Sequence, residues 1–261
     1  MRTLLLCAVF APSLACAGPF APAPVAYDST SIVGWASGYQ DLVRGPFDIT
    51  QPLQGNASHG SGADALGVAD AALNNALTVV SLGDGGRITL TFDRPIANGL
   101  GADFAVFENG FDDSFLELAV VAVSSGGIFV PFRSVSLTPT TTQIGSEPNA
   151  IDPTNLNNLA GKYSMGFGTP FDLAELAGTP GLDINNITQI RITDVVGSIN
   201  PAYGTLDSLG NLINDPWPTP YGTGGFDLDA VGVLNFAPVP EPCTSLMLAS
   251  AALIFTARRR R

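Results

Sequence analysis

Acidic and amide side chains cluster where a predicted buried strand ends. The segment Glu108-Asn109-Gly110-Phe111-Asp112-Asp113 carries oxygen-bearing side chains on both sides of a glycine turn. Calcium binds several carboxylate and carbonyl oxygens, and turns present such oxygens well. The segment therefore predicts a structural calcium site that uses Glu108 and Asp112, although its spacing departs from the EF-hand pattern.

A second set of carboxylates follows the alternation of another predicted strand. Asp227 and Asp229 are two positions apart, so an extended backbone places them on one face, about 7 Å from each other. Val231 and Val233 continue that face, and Asp194 has the parity of an inward-facing residue. A cation would offset the cost of burying these carboxylates. In the alternative interpretation, they cap turns and accept backbone amides without any metal.

Support for catalysis is weak. The body of the chain has one histidine, His59, in a polar loop, and it has no cysteine, zinc-ligand spacing or phosphate loop. We therefore expect a protein that is not an enzyme. The body has only four glutamates, and Glu117 lies within a predicted strand, but aspartates are plentiful enough to leave a glycoside hydrolase open as the third hypothesis.

Aromatic residues in a proline-rich loop suggest that the protein binds a ligand rather than catalyses a reaction. Trp217 and Tyr221 lie in the loop 215–221, and loops on a rigid scaffold often carry binding residues. Aromatic faces beside hydrogen-bonding groups bind sugars, so these two residues are candidates for a glycan site. The alternative is that they close the end of the hydrophobic core.

The elements that must position these residues have the pattern of strands. Residues 87–93 alternate with period two, and Gly83-Asp84-Gly85-Gly86 predicts a hairpin with 77–82. Further strands are predicted at 103–108, 115–124, 128–132, 188–196 and 226–236. Helical signals are weak, at 64–76 and 172–177, and the loops 139–187 and 197–225 are long. Short strands with glycine-rich turns favour an all-β, antiparallel sandwich or barrel.

Net charge argues against one class of partner, and cysteine content argues against disulfide bonds in the body. Residues 18–237 contain six basic and 22 acidic residues, a net charge of −16, and no cysteine. A body this acidic should repel nucleic acid, so no nucleic-acid partner is expected. No disulfide can stabilise it, so it must fold on its hydrophobic core alone.

The N-terminus has the pattern of a secretory signal peptide over residues 1–17. Arg2 precedes a short apolar run, and Ala15-Cys16-Ala17 fits the small-x-small cleavage site, so the mature chain is predicted to begin at Gly18. Lipidation at Cys16 and an uncleaved anchor are the alternatives. A proline- and alanine-rich linker is expected over 18–31, before a single domain at 32–236.

The C-terminal segment 237–261 has three parts. Pro240, Glu241 and Pro242 precede an apolar stretch, 243–257, that predicts a short transmembrane helix. The chain closes with Arg258, Arg259, Arg260 and Arg261, which should stay cytoplasmic. The order of these parts resembles the PEP-CTERM sorting signal of Gram-negative bacteria, which is also catalogued as an ice-binding protein C-terminal domain. An ordinary single-pass anchor is the alternative.

The resemblance to PEP-CTERM proteins implies a partner and a location. It implies recognition by an exosortase, a membrane protease that cuts near the Pro-Glu-Pro motif. The exported protein would be anchored in the inner membrane before processing. It would then reach the cell surface or an extracellular matrix, where exopolysaccharide is a possible partner.

The body also resembles a group of bacterial cell-surface proteins over residues 32–235. The resemblance is carried by segments that occur in the same order: Ala36-Ser37-Gly38-Tyr39, Val43-Arg44-Gly45-Pro46, Asp64-Ala65-Leu66-Gly67, residues 80–86, Ala102-Asp103-Phe104, Phe107-Glu108-Asn109-Gly110-Phe111, Asp215-Pro216-Trp217-Pro218 and residues 225–232. It implies a jelly-roll sandwich of the galactose-binding kind and transfers no chemistry. The expected function is structural or adhesive, with a carbohydrate-binding module as the alternative.

Overall fold

The computed structural model describes residues 18–20, 23–73, 77–111, 115–146 and 151–239, which form fourteen strands and four short 3-10 helices. The strands are β1 (Val25–Ala26), β2 (Gly34–Trp35), β3 (Gly38–Val43), β4 (Val80–Ser81), β5 (Arg87–Ile96), β6 (Phe104–Glu108), β7 (Ala119–Ser124), β8 (Val130–Pro131), β9 (Val135–Ser136), β10 (Leu156–Asn157), β11 (Leu159–Ala160), β12 (Phe167–Phe171), β13 (Ile187–Asp194) and β14 (Asp227–Val233). The 3-10 helices are Pro52–Gln54, Gly62–Ala65, Pro153–Asn155 and Leu173–Leu176.

The strands form two six-stranded antiparallel sheets and one two-stranded ribbon. The first sheet has the order β1-β12-β6-β14-β2, with β4 also paired to β14. The second has the order β11-β7-β13-β5-β3, with β8 paired to β7, and β9 pairs with β10 in the ribbon. The predicted all-β, antiparallel fold is confirmed. Strand β1 lies within the stretch expected to be a linker.

One hydrophobic core lies between the two sheets and makes the fold a β-sandwich. Inward-facing side chains alternate along β6 and β14 on one side and along β5, β7 and β13 on the other. Phe104, Phe132 and Phe171 pack together with ring centroids 5.0–5.8 Å apart. Every residue of β6 is buried, as expected for the central strand that the sequence predicts at 103–108.

The predicted hairpin between 77–82 and 87–93 is wrong. Strand β4 pairs with β14 in the first sheet, whereas β5 pairs with β3 and β13 in the second. The turn Gly83-Asp84-Gly85-Gly86 therefore links the two sheets. Its backbone is held across the molecule, because the Gly83 amide donates to the Gly224 carbonyl, 3.0 Å away.

The prediction that Asp227, Asp229, Val231 and Val233 share one face of strand β14 is also wrong. The register of β14 against β6 shifts at Asp229, the extra residue of a β-bulge. Leu228, Val231 and Val233 therefore face the core together. The prediction had placed Val231 and Val233 on the face of Asp227 and Asp229.

The weak helical signals correspond to single 3-10 turns. The predicted helix over 64–76 is reduced to Gly62–Ala65, followed by turns as far as residue 73, where Gly67 takes a positive φ of 83°. The signal at 172–177 becomes Leu173–Leu176, with Asp172 as its N-cap.

No helix among the described residues is long and apolar enough to cross a membrane. The predicted signal peptide, the Pro240-Glu241-Pro242 motif, the apolar stretch 243–257 and the terminal arginines lie outside the described residues. These features remain predictions from the sequence.

Candidate functional site: a buried acidic end of the sandwich

Five carboxylates are buried where strands of the two sheets end on the same side of the sandwich. Glu108 is the last residue of β6, Asp227 the first of β14, and Asp194 the last of β13. Glu117 precedes β7, and Asp215 lies in the long loop before β14. None of the five is more than 8% exposed. We call this group the acidic end.

Two members of the acidic end hold loops in place through backbone amides. Asp194 accepts from the Phe226 amide (2.7 Å) and the Gly85 amide (2.9 Å), one at each oxygen. Asp215 accepts from the Leu118 amide at 2.9 Å. These carboxylates do what the turn-capping interpretation predicts, since their burial is compensated by hydrogen bonds.

The other three carboxylates line a cavity of about 170 Å³. Glu108 accepts from the Gly110 amide at 2.7 Å through one oxygen. Among the described residues, the Oε1 atom of Glu117 and the Oδ1 atom of Asp227 are buried without a hydrogen-bond partner. A buried polar atom without a partner costs about 1–3 kcal/mol, and more when it is charged. The geometry therefore leaves two acceptor atoms at the cavity that a ligand would satisfy.

Basic side chains do not neutralise the acidic end. Within the described ranges, no basic residue lies within ion-pair distance of its five carboxylates. His59 and Arg44 act electrostatically on Asp227 without forming an ion pair with it, and both lower its pKa. The guanidinium itself donates to the carbonyl oxygens of His59 (2.8 Å), Gly60 (2.6 Å) and Ser81.

Burial changes the proton affinity of every member of the acidic end. Desolvation, with added repulsion from Asp227, raises the pKa of Glu108 and of Glu117 well above the usual range. Desolvation also raises the pKa of Asp194 and Asp215 well above the ordinary value. It raises the pKa of Asp227 to about 6. Burial therefore favours the protonated form of these carboxylates, and a bound cation would offset the cost of ionising them.

The predicted calcium ligands are only partly brought together. Glu108 and Asp227 line the same cavity, but Asp229 does not, and Asp112 lies outside the described residues. In the described part of the chain, no three His, Cys, Asp or Glu side chains are positioned to hold a metal ion. A cation at this cavity would take part of its coordination shell from neutral and water oxygens, which calcium accepts.

Asp229 instead anchors a turn on the other side of its strand. Its Oδ1 atom accepts from the Asp70 amide at 3.1 Å, and both oxygens lie 3.4 Å from the Ala71 amide. Desolvation raises its pKa to about 7. The bulge in β14 turns Asp229 to these amides, so the structure favours the capping interpretation at this position.

The two aromatic candidates for a glycan site face different surroundings. The Trp217 indole donates from Nε1 to the Asp84 carboxylate at 3.1 Å, beside Asp194 and Asp215. Tyr221 is 63% exposed and lines the cavity that contains Glu108, Glu117 and Asp227. Tyr221 alone of the pair therefore lies at that cavity.

The sequence patterns did not identify Glu117 and Asp215 as members of this site. Glu117 precedes its strand between the buried Leu116 and Leu118, and Asp215 lies in a long loop. A carboxylate between two apolar residues is a signal for burial. Its neighbours, however, come from distant parts of the chain, and no local spacing reveals them.

Comparisons with known proteins do not assign a family. No family model matches the chain, and no curated protein matches its sequence. The chemistry of the acidic end is therefore what bears on function.

The raised pKa values predict that stability in chelator falls as pH rises. The folded state keeps its protons to a higher pH than the unfolded chain. The resulting contribution to the free energy of unfolding is fully present below the unfolded pKa values and is lost as pH rises through the folded ones. For Asp227 the loss lies between about pH 4 and its pKa of about 6, and amounts to about 3 kcal/mol. We expect thermal melts to give a Tm lower at pH 8 than at pH 5 by roughly 5–10 °C.

The Asp227→Asn variant provides the control for this pH dependence. It should melt with a smaller difference between pH 5 and pH 8, because the amide does not titrate. A wild-type Tm that is level across this range would contradict buried, protonated carboxylates.

Proposed function

We propose that this is a non-catalytic protein of the cell surface that binds calcium at the acidic end of its sandwich. In this proposal it is exported, sorted by an exosortase through its tail, and serves as a structural or adhesive component of an exopolysaccharide matrix. The observation that carries the calcium proposal is the pair of buried, unpartnered oxygens, Glu117 Oε1 and Asp227 Oδ1, at one cavity.

A calcium ion supplies what these oxygens lack. It accepts carboxylate ligands from separate loops and completes its shell with carbonyl and water oxygens. Extracellular modules bind calcium with dissociation constants of about 10⁻⁴–10⁻³ M, so an exported protein can be saturated where a cytoplasmic one cannot. The acidic, cysteine-free body is consistent with that environment.

The jelly-roll arrangement of the galactose-binding kind is part of the same proposal. Its support is the pair of six-stranded antiparallel sheets around one core. Functional residues in such sandwiches lie on the loops at the ends of the sheets. The acidic end has this position, since its carboxylates come from strand ends and from the loop before β14.

A carbohydrate-binding module is the second candidate, and the rim of the cavity favours it. Tyr221 and Phe111 line the cavity and are 63% and 67% exposed, next to the carboxylate of Glu108 and the amide of Asn109. Aromatic faces beside polar groups are suited to a sugar ring. A glycan array in calcium and in chelator distinguishes the candidates: bound glycan favours the module, released sugar favours a glycoside hydrolase, and neither favours the structural role.

The calcium proposal predicts a pH-dependent increment in thermal stability. At pH 8 and about 10 mM calcium, the Tm should exceed that in chelator by roughly 4–8 °C, because a ligand of the folded state stabilises it by mass action. At pH 5 the increment should nearly vanish, since the carboxylates are protonated. Magnesium at equal ionic strength should have less effect, because it needs a tighter octahedral shell.

Matched variants separate a specific site from general screening of negative charge. Glu117→Gln and Asp227→Asn should each abolish the calcium increment. Asp229→Asn removes a buried carboxylate from the same strand and should keep it, since Asp229 contacts the Asp70 and Ala71 amides. Equal increments in all three variants would reject the cavity as the site.

The sorting proposal predicts a defect in processing. Replacing Pro240, Glu241 and Pro242 by alanine should leave the protein at full length in the membrane fraction of an exosortase-bearing host. The apolar stretch 243–257 would still insert while the protease lost its motif. Cell fractionation and intact-mass measurement test this, and normal release of a shortened protein would refute the assignment.

A further inference from the structure

The first residues of the described body lie against the turn that contains the 3-10 helix Pro153–Asn155. The Gly18 amide nitrogen donates to the Thr154 hydroxyl, and the Phe20 amide donates to the Thr154 carbonyl at 2.9 Å. The Thr154 hydroxyl in turn donates to the Asp152 carboxylate at 2.6 Å. The backbone nitrogen of Gly18 thus begins a hydrogen-bond chain that ends on a carboxylate.

Asp152 is suited to receive a positive charge at this position. Hydrogen bonds from the Thr154 hydroxyl and amide, with smaller contributions from the Gly18 amide and the charge of Lys162, lower the pKa of Asp152. Its carboxylate is therefore ionised at neutral pH. Within the described residues, no basic side chain forms an ion pair with it.

The position of Gly18 allows no side chain. A Cβ atom on this residue would overlap the Thr154 carbonyl and the Asn155 side chain. A glycine here is what lets the backbone nitrogen approach Thr154 and Asp152 so closely. The space beside Thr154 and Asn155 therefore accepts only a glycine, and Gly18 is the residue that the sequence predicts as the first of the mature chain.

We propose that signal-peptide cleavage creates a ligand for this site, namely the free α-ammonium group of Gly18. The inference rests on the export part of the proposed function. Hydrolysis of the Ala17–Gly18 bond by a signal peptidase consumes one water and leaves a carboxylate on Ala17 and an ammonium on Gly18. The ammonium replaces one amide donor by three charged donors beside Asp152 and Thr154. Cleavage thus adds an ion pair that holds Gly18, at the start of the segment before β1, against Asp152.

The charged groups that face this segment are few and define the expected pH response. Asp152 lies at the nitrogen of Gly18, and the Lys162 ammonium donates to the Leu156 carbonyl at 2.6 Å, with the Phe20 carbonyl 3.5 Å away. Asp172 and Glu175 line the cleft beside Pro19 and Phe20. Burial lowers the pKa of Lys162 to about 8, so this side chain titrates in the same pH range. The ionised Asp152 favours the charged form of the α-ammonium, whose ordinary pKa is about 8. The added stability is present below that pKa and is lost as pH rises through it.

The chain allows a selective test, because its one lysine, Lys162, is buried. The mature protein is purified from an exporting Gram-negative host, and its first residue is identified by mass spectrometry. The α-amine is then acetylated at pH 7, and peptide mapping verifies that Lys162 is unmodified. At pH 7 acetylation should lower the Tm by roughly 2–4 °C, and this difference should disappear by about pH 9.5.

A matched pair of variants shows whether Asp152 is the partner. Asp152→Asn and Asp172→Asn each alter the N-cap of a 3-10 helix, but Asp172 does not contact Gly18. Acetylation should leave the Tm of Asp152→Asn unchanged and still lower that of Asp172→Asn. Lys162 also interacts with Asp152, so the free and acetylated proteins are compared within one variant at one pH.

The outcomes separate this inference from the export proposal. A chain that begins at Gly18 but keeps its Tm on acetylation overturns the ammonium site and leaves export supported. A chain that retains residues 1–17 overturns both. A chain that begins at Gly18 and loses stability only when Asp152 is present supports both.

Discussion

The burial of carboxylates that have no ion-pair partner among the described residues is the constraint on which this structure depends. Five acidic side chains meet at one end of the sandwich, and each gains a higher pKa through desolvation. A charge that leaves water needs a partner, a proton or a metal ion, because its solvation is otherwise lost. The described body supplies amides for some of these groups and leaves others for a ligand.

The antiparallel topology explains why these side chains meet. Strands β6 and β13 end where β7 and β14 begin, so residues far apart in the chain converge on one edge of the core. Asp194 and Asp215 join loops to neighbouring strands by accepting hydrogen bonds from backbone amides. Glu117 and Asp227 are left facing the space between those loops. The carboxylates that hold loops and those that line the cavity are therefore parts of the same arrangement.

Local sequence patterns predicted the positions of the strands better than they predicted which strands pair and which residues meet. Period-two alternation predicted β5, continuous apolarity predicted β6, and the parity of β13 correctly gave Asp194 an inward direction. Alternation failed at Asp229, because a bulge changes the parity of a strand without a local signal. The glycine-rich turn before β5 was predicted to form a hairpin, but its amides bond to the loop before β14, a contact that depends on the tertiary fold. Glu117 was missed as a member of the site for the same reason.

Calcium titration with a count of released protons tests the central claim most directly. Isothermal titration calorimetry of the mature protein at pH 6, in two buffers with different ionisation enthalpies, measures both the stoichiometry and the protons exchanged. Carboxylates with raised pKa values must lose protons when they bind a metal. The account predicts one calcium per chain with net proton release, which disappears in Asp227→Asn but persists in Asp229→Asn. Absence of binding, or binding with no proton release, would contradict it.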